Sequence, residues 1–280
     1  MVLAVWARDV ALEGASMDTA GHKMLRNADL FRQHGGQEAD YVEANVRVGM
    51  KWGSQQMANR LMERDGPVIQ SGLFAGMAYH RTVAEGALAA RLLGTYEAEL
   101  HPHIERILAA RPKHIVDIGC AEGIYAVGFA RLAPFAKVFA FDIEEHAQNL
   151  ARTLAKMNGV SDRVTVGGLV DHARLNAMTE EDAFVFCDIE GGEQALLDPD
   201  AAPNLKRARV IVETHPAAAP GVTQKLHARF AQTHDVTLVN EVVKPPPKGH
   251  WLEREPTIDQ FRATWEWRHR PTPWLVMEPR

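Results

Sequence analysis

The stretch HIVDIGCAEGIYAVGFA, at His114–Ala130, constrains this chain more than any other. An apolar run ends in Asp117, glycines follow at 119 and 123, and a helix pattern rich in small residues then begins. Glycine lets a backbone turn sharply and pass close to a ligand, and a helix starting there offers unpaired N–H groups beside it. From this turn onward, short β-branched or aromatic runs alternate with helix-like stretches. Strands are expected at His114–Ile118, Lys137–Asp142, Arg163–Val166, Ala183–Asp188, Ala208–Glu213, Val236–Asn240 and Trp274–Met277. Helices are expected at Gly123–Leu132, Glu144–Met157, Glu193–Leu197 and Gly221–Thr233. Such alternation predicts an α/β fold built on a doubly wound, mainly parallel sheet.

The turn also restricts the ligand. Its spacing, Gly119-Cys120-Ala121-Glu122-Gly123, is not the GxGxxG of a pyrophosphate cradle, and Glu122 would set an anion against dinucleotide phosphates. A ligand bearing an ammonium or sulfonium group would instead be attracted by Asp117 and Glu122, and S-adenosyl-L-methionine is such a ligand. At the tip of the second strand, Asp142 is placed to accept both hydroxyls of a ribose. Asp142 alone is also explained as a helix cap, since Glu144 and Glu145 follow it. The order Asp117, Gly119, Gly123, Asp142 favours the nucleoside cofactor.

Four segments carry a family resemblance: VDIGCAEG, AFDIEEHAQNLARTLAKMNG, RVTVGG and FVFCDIEGGE together resemble class I SAM-dependent methyltransferases. The DIEGGE segment, Asp188–Glu193, resembles the D-V/I-E-G-x-E signature of the FkbM-type methyltransferase family, and GTYEAEL at Gly94–Leu100 looks like its pre-strand element. The likeness covers residues 94–280, with Ala121 standing where many methyltransferases carry a middle glycine. It implies a seven-stranded Rossmann-like sheet ending in a reversed hairpin, and methyl transfer, usually to oxygen. It also implies cofactor contacts from Glu97, Cys120, Ala121, Ile143, Gly168, Leu169, Asp188 and Ile189, beside those named above.

Beyond the fourth and fifth strands lie Asp188, Glu190 and Glu193, then Glu213 and His215. Acids packed this closely need a cation, a substrate amine or a shared proton to relieve their repulsion. Asp188, Glu190, Glu213 and His215 would suit Mg²⁺ or Mn²⁺ bound to a substrate hydroxyl. His215 is the preferred catalytic base and Glu190 the alternative. Plainer roles compete: His215 as a satisfied histidine before Pro216, and Gly191-Gly192 as a tight turn with Glu193 favoured by a helix dipole. Trp265, Trp267 and Trp274, interleaved with Arg262, Arg268, His269 and Arg270, are read as packing rather than as a stacking platform.

Residues 1–93 lack a period-2 pattern and are read as a helical accessory or lid segment, with a turn at Asp65-Gly66-Pro67 and the apolar stretch Ser71–His80 placed to cover a site. A helix is expected over Thr95–Ala110, and the proline-rich Lys244–Thr257 as an extended loop. With 24% charged and 46% hydrophobic residues and a formal net charge of -5, the composition is that of an ordinary globular protein without a general attraction for nucleic acid or anionic lipid. The start MVLAVWARDVALEG shows no export signal, no apolar run is long enough for a spanning helix, and the two cysteines, Cys120 and Cys187, suggest no disulfide framework. A cytoplasmic location, a small-molecule acceptor, no nucleic-acid or membrane partner and a homodimer are the resulting expectations. The rival readings are an N-methyltransferase with the same cofactor site and a SAM-binding scaffold that transfers nothing.

Overall fold

The computed structural model describes residues 19–83, 86–268 and 270–280. The opening Met1–Gly14, read for export signals, and His269 lie outside the described residues. Among the described residues three helices come first, α1 (Ala20–His34), α2 (Glu38–Asp65) and α3 (Leu88–Leu93), followed by α4 (His101–Ala109). The alternating half then runs β1 (His114–Ile118), α5 (Ile124–Leu132), β2 (Lys137–Phe141), α6 (Glu145–Met157), β3 (Val164–Gly167), α7 (His172–Met178), β4 (Ala183–Cys187), α8 (Glu193–Leu196) and β5 (Arg209–Glu213). It closes with α9 (Val222–Phe230), β6 (His234–Val239), α10 (Thr257–Thr264) and β7 (Trp274–Pro279).

The strands form one seven-stranded sheet in the order β3-β2-β1-β4-β5-β7-β6. β7 runs antiparallel to β5 and β6, whereas the pairs from β3 through to β5 are parallel. β1, β4 and β5 are covered on both faces, which is why HIVDI, AFVFC and RVIVE read as almost unbroken apolar runs. At the edge, β6 exposes Asp235, Thr237 and Leu238, the polar-out pattern of a strand with one wet face. α6 buries Ala147, Ala151, Leu154 and Ala155, a helical stripe against the sheet. No helix among the described residues is long and apolar enough to cross a membrane.

Three local readings are refined. The helix expected from Thr95 begins only at His101, because Glu97 takes a left-handed conformation (φ 49) and a short 3₁₀ turn, Ala98–Leu100, follows. The helices α7 and α10 were not anticipated; α7 carries its own start signal, the Asp171 carboxylate accepting from the N–H of Arg174 at 2.8 Å. Ser71–His80, expected as a cover, is instead core: Phe74, Met77 and Tyr79 are buried, and Phe74 packs edge-on against Tyr125 and Phe129 with centroids 5.7 and 6.0 Å apart. Gly128 of α5 makes this possible, since a Cβ there would come within 2.3 Å of the Phe74 ring. Burying side chains of this size contributes about 2–3 kcal/mol each, and the end of α2, the loop after it and α3 share one hydrophobic core with the sheet.

Candidate active site

The carboxyl ends of the parallel strands converge on the turn that follows β1. Gly119 (φ 82) and Gly123 (φ 91) take left-handed conformations, and so does Ala121 (φ 45), where a glycine was the more common family choice. The N–H groups of Gly119 and Cys120 both donate to the Phe141 carbonyl, at 2.8 and 2.9 Å, binding the turn to the end of β2. Asp142 completes that tie: its Oδ2 accepts from the N–H of Ala121 and its Oδ1 from that of Glu144, each at 2.9 Å. An ionised carboxylate has roughly four lone-pair sites, so two hydroxyls of a ribose still find acceptors here. On either side stand Ile143 and Leu169, 73% and 74% exposed, with Gly168 between β3 and Leu169. Large aliphatics this open beside a carboxylate are a fit for a planar apolar group above a ribose, which is the shape of an adenosine. S-adenosylmethionine would be held here by Asp142, Ile143, Leu169 and the Gly119–Gly123 turn.

Asp117 lies beneath the turn, 1% exposed, with Oδ2 lacking any hydrogen-bond partner. Burial raises its pKa from 3.8 to about 8, against the pull of the Ala126 N–H and with a further push from Asp142. Such an acid is protonated in the folded state but ionised in the unfolded one over that range, so stability falls as pH rises. Asp117→Asn removes the effect. Its stability relative to wild type is expected to climb between about pH 4 and pH 8, by a few kcal/mol at about 1.4 kcal/mol per unit. Urea unfolding across that range checks this, and a pH-independent difference counts against it.

Glu122 departs from the sequence reading. It is wholly buried and points into the early helices, where Arg91 Nη1 sits 2.9 Å from its Oε1 and the Tyr79 hydroxyl donates to the same oxygen. Arg91 and Tyr79 both meet Oε1, which anchors the turn to the early part of the chain, while Oε2 is buried with no hydrogen-bond partner. Cys120 is 4% exposed and Ile189 partly buried, both near the turn.

The second half of the site is the rim of β4 and β5. Glu193, at the first turn of α8, accepts from the Gly191 N–H at 2.9 Å and pairs with His215 Nδ1 at 2.6 Å through the same Oε1. Glu193 thus both fastens the glycine turn and orients the imidazole. Burial disfavours its charge, but the His215 hydrogen bond and the neighbouring N–H groups hold its carboxyl below the ordinary range. Burial likewise opposes a charged His215, yet the Glu193 bond and the nearby Glu213 outweigh it and raise the imidazole pKa. The other ring nitrogen, Nε2, then faces Asp188 Oδ1 at 3.6 Å and Glu213 Oε2 at 3.8 Å. One donor atom from each of Asp188, Glu213 and His215 lies within 4.8 Å of the others. Asp188 Oδ1 has no hydrogen-bond partner, and burial followed by the Glu213 charge pushes its pKa well upward. Glu190, expected in this set, is absent from it: its backbone is left-handed (φ 51) and the residue is exposed.

The counter-cation of this rim was missed in the sequence. Arg268 ion-pairs with Glu97, Glu213 and Glu266, while Lys244 bridges Glu99 and Glu266. Glu97, expected at the cofactor, accepts from Arg268 and from the Tyr125 hydroxyl; burial lifts its pKa to about 8 despite Arg268. The available signal was charge balance, since so many buried acids required a cation from elsewhere in the chain. Trp274 is packing, as expected, 1% exposed and against Phe186 at 5.1 Å.

The strand order, the reversed β7 and the glycine turn after β1 are those of the class I SAM-dependent methyltransferase fold. A family model described as ribosomal protein L11 methyltransferase (PrmA) matches residues 102–212, from α4 to β5. The ribosomal protein L11 methyltransferase of Syntrophomonas wolfei subsp. wolfei (strain DSM 2245B / Goettingen) is 35% identical over 94 residues, which are 33% of this chain and 29% of that one. The aligned region thus spans less than a third of that relative. Among solved structures, cofactor-bound Rv0187 from MTB superposes over 95% of this chain and 100% of that one, at 14% identity and a TM-score of 0.46. A SAM-dependent O-methyltransferase from Thermotoga maritima covers 64% of each chain at 18% identity and a TM-score of 0.41.

Proposed function

We propose that this chain transfers the methyl group of S-adenosylmethionine to a hydroxyl oxygen of a small-molecule acceptor, with a divalent ion held by Asp188, Glu213 and His215. The observation that carries the reading is the Glu193–His215 pair, which turns Nε2 toward two carboxylates on the strand rim beside the cofactor turn. A carboxylate behind a histidine is the arrangement that orients imidazole ligands and raises their basicity. When bound, the sulfonium supplies an electrophilic methyl and the ion lowers the pKa of a nearby hydroxyl. The chain does the rest: Asp142 and the glycine turn fix the cofactor, and the rim fixes the acceptor so that its oxygen lines up with the methyl. Exposed Glu190 is left free to carry the proton to water; in a metal-free variant of the reaction, His215 Nε2 takes it. The DIEGGE likeness to FkbM-type enzymes supports an oxygen acceptor.

A second reading, transfer to nitrogen, is favoured by the match to ribosomal protein L11 methyltransferase and by an acid rim that would bind an amine. Radiolabelled methyl transfer to panels of hydroxyl and amine acceptors separates the two. For the first reading, a chelator is expected to lower transfer to hydroxyls by roughly 100-fold, a typical scale for loss of acid–base assistance, with Mn²⁺ or Mg²⁺ restoring it. Transfer confined to amines and indifferent to chelator would support the second.

A further inference from the structure

Arg268 stands at the meeting point of the buried acids. Glu97, Glu213 and Glu266, 1%, 2% and 6% exposed, all pair with its guanidinium. It comes from the segment between α10 and β7, where Trp267 immediately before it has φ 65. A bulky residue keeps a left-handed conformation only where its surroundings over-determine it. Here the hold includes the ion pairs of Arg268 and its hydrogen bond to the Thr272 hydroxyl.

Glu213 is shared. Its Oε1 goes to Arg268, while its Oε2 faces His215 Nε2 at 3.8 Å as one of the three converging donors. A divalent ion among Asp188, Glu213 and His215 and the guanidinium on Glu213 would be like charges drawing on one carboxylate, in surroundings too dry to screen them. Arg268 also borders an open cleft of about 470 Å³, lined among others by Asn240, Arg270 and Thr272.

We propose that Arg268 is a built-in competitor for the metal site: guanidinium and divalent ion contend for Glu213, and the Trp267–Arg268 segment thereby sets how tightly Asp188, Glu213 and His215 hold the ion. This rests on the metal-assisted reading above. It assigns a role to a residue that touches the ligands without being one. Weakening the grip of Arg268 on Glu213 therefore tightens ion binding, whereas a merely structural arginine would leave it unchanged or loosen it.

Mn²⁺ alone serves as the probe, titrated calorimetrically into the full chain and followed separately by loss of the free-ion paramagnetic resonance signal. Arg268→Gln is expected to bind Mn²⁺ roughly ten-fold more tightly than wild type or better, from removal of a close like charge. Arg268→Lys keeps the charge but not the two-pronged reach, so it gives an intermediate gain and carries the test should the Gln variant not fold. His215→Ala should abolish the binding. Unchanged or weaker Mn²⁺ affinity in the Arg268 variants, with His215→Ala still losing the site, overturns the competition and leaves the metal reading standing. No saturable 1:1 Mn²⁺ binding in wild type or either Arg268 variant removes both.

Discussion

Asp142→Ala is expected to weaken S-adenosylhomocysteine binding by roughly 100-fold, since hydrogen bonds to a charged group contribute about 1.5–3 kcal/mol each and a ribose would present two hydroxyls. The same carboxylate also fastens the turn, because it accepts from the N–H groups of Ala121 and Glu144. Asp142→Asn distinguishes these roles. The amide keeps one oxygen for a backbone N–H but loses the charge and half of the acceptor capacity, so it should retain most of the stability and still lose at least about ten-fold in affinity. Calorimetric titration beside thermal unfolding reads both quantities. Wild-type affinity in a well-folded Asp142→Ala protein would remove the ribose role and with it the placement of the cofactor.

The sheet was legible because its strands obey simple rules. Ile115–Ile118 apart from Asp117, Val138–Phe141 and Phe184–Cys187 are apolar runs, largely buried, and nothing in their surroundings contests the assignment. The glycine turn was legible for a similar reason, since Gly119 and Gly123 adopt backbone conformations their type announces. Side-chain partners were not. Glu122 lies one residue from Gly123 in the chain, yet its carboxylate is met by Arg91 of α3 and by Tyr79 of the loop before it. Glu97 and Glu213 are answered by Arg268, 171 and 55 residues away along the chain. An ion pair leaves no periodic trace in either partner's sequence. Charge positions alone could show that cations were needed, but not which of the arginines supplied them. Glu190 differs again: it follows Asp188 by two residues, but a left-handed φ of 51 turns the chain there, and its carboxylate is not one of the three converging donors.

Gly119→Ala is expected to be the most damaging single-methyl change at the site. A Cβ on Gly119 would fall 1.6 Å from the backbone carbonyl oxygen of Asp188, and the φ of 82 is one that alanine resists. The conformational cost is about 1–2 kcal/mol, and overpacking against a group that cannot rotate away adds about 1–3 kcal/mol. Asp188 cannot retreat easily, because its own N–H donates to the Ile118 carbonyl at 2.8 Å, which joins β1 to β4 at this level. Against a total stability of about 5–15 kcal/mol, the sum predicts a thermal midpoint many degrees lower, or an insoluble product. Gly123→Ala is the internal comparison: its φ of 91 is equally unfavourable, but the nearest atom is the Ala151 Cβ at 3.0 Å, a contact that a small shift of α6 relieves. It should fold, with a smaller loss. The contrast tests more than glycine preference, since both positions share the left-handed φ and differ in what stands opposite. Equal, mild losses in the two variants would mean that the turn does not approach β4 as closely as described, and Asp188 would then no longer be held beside the cofactor turn.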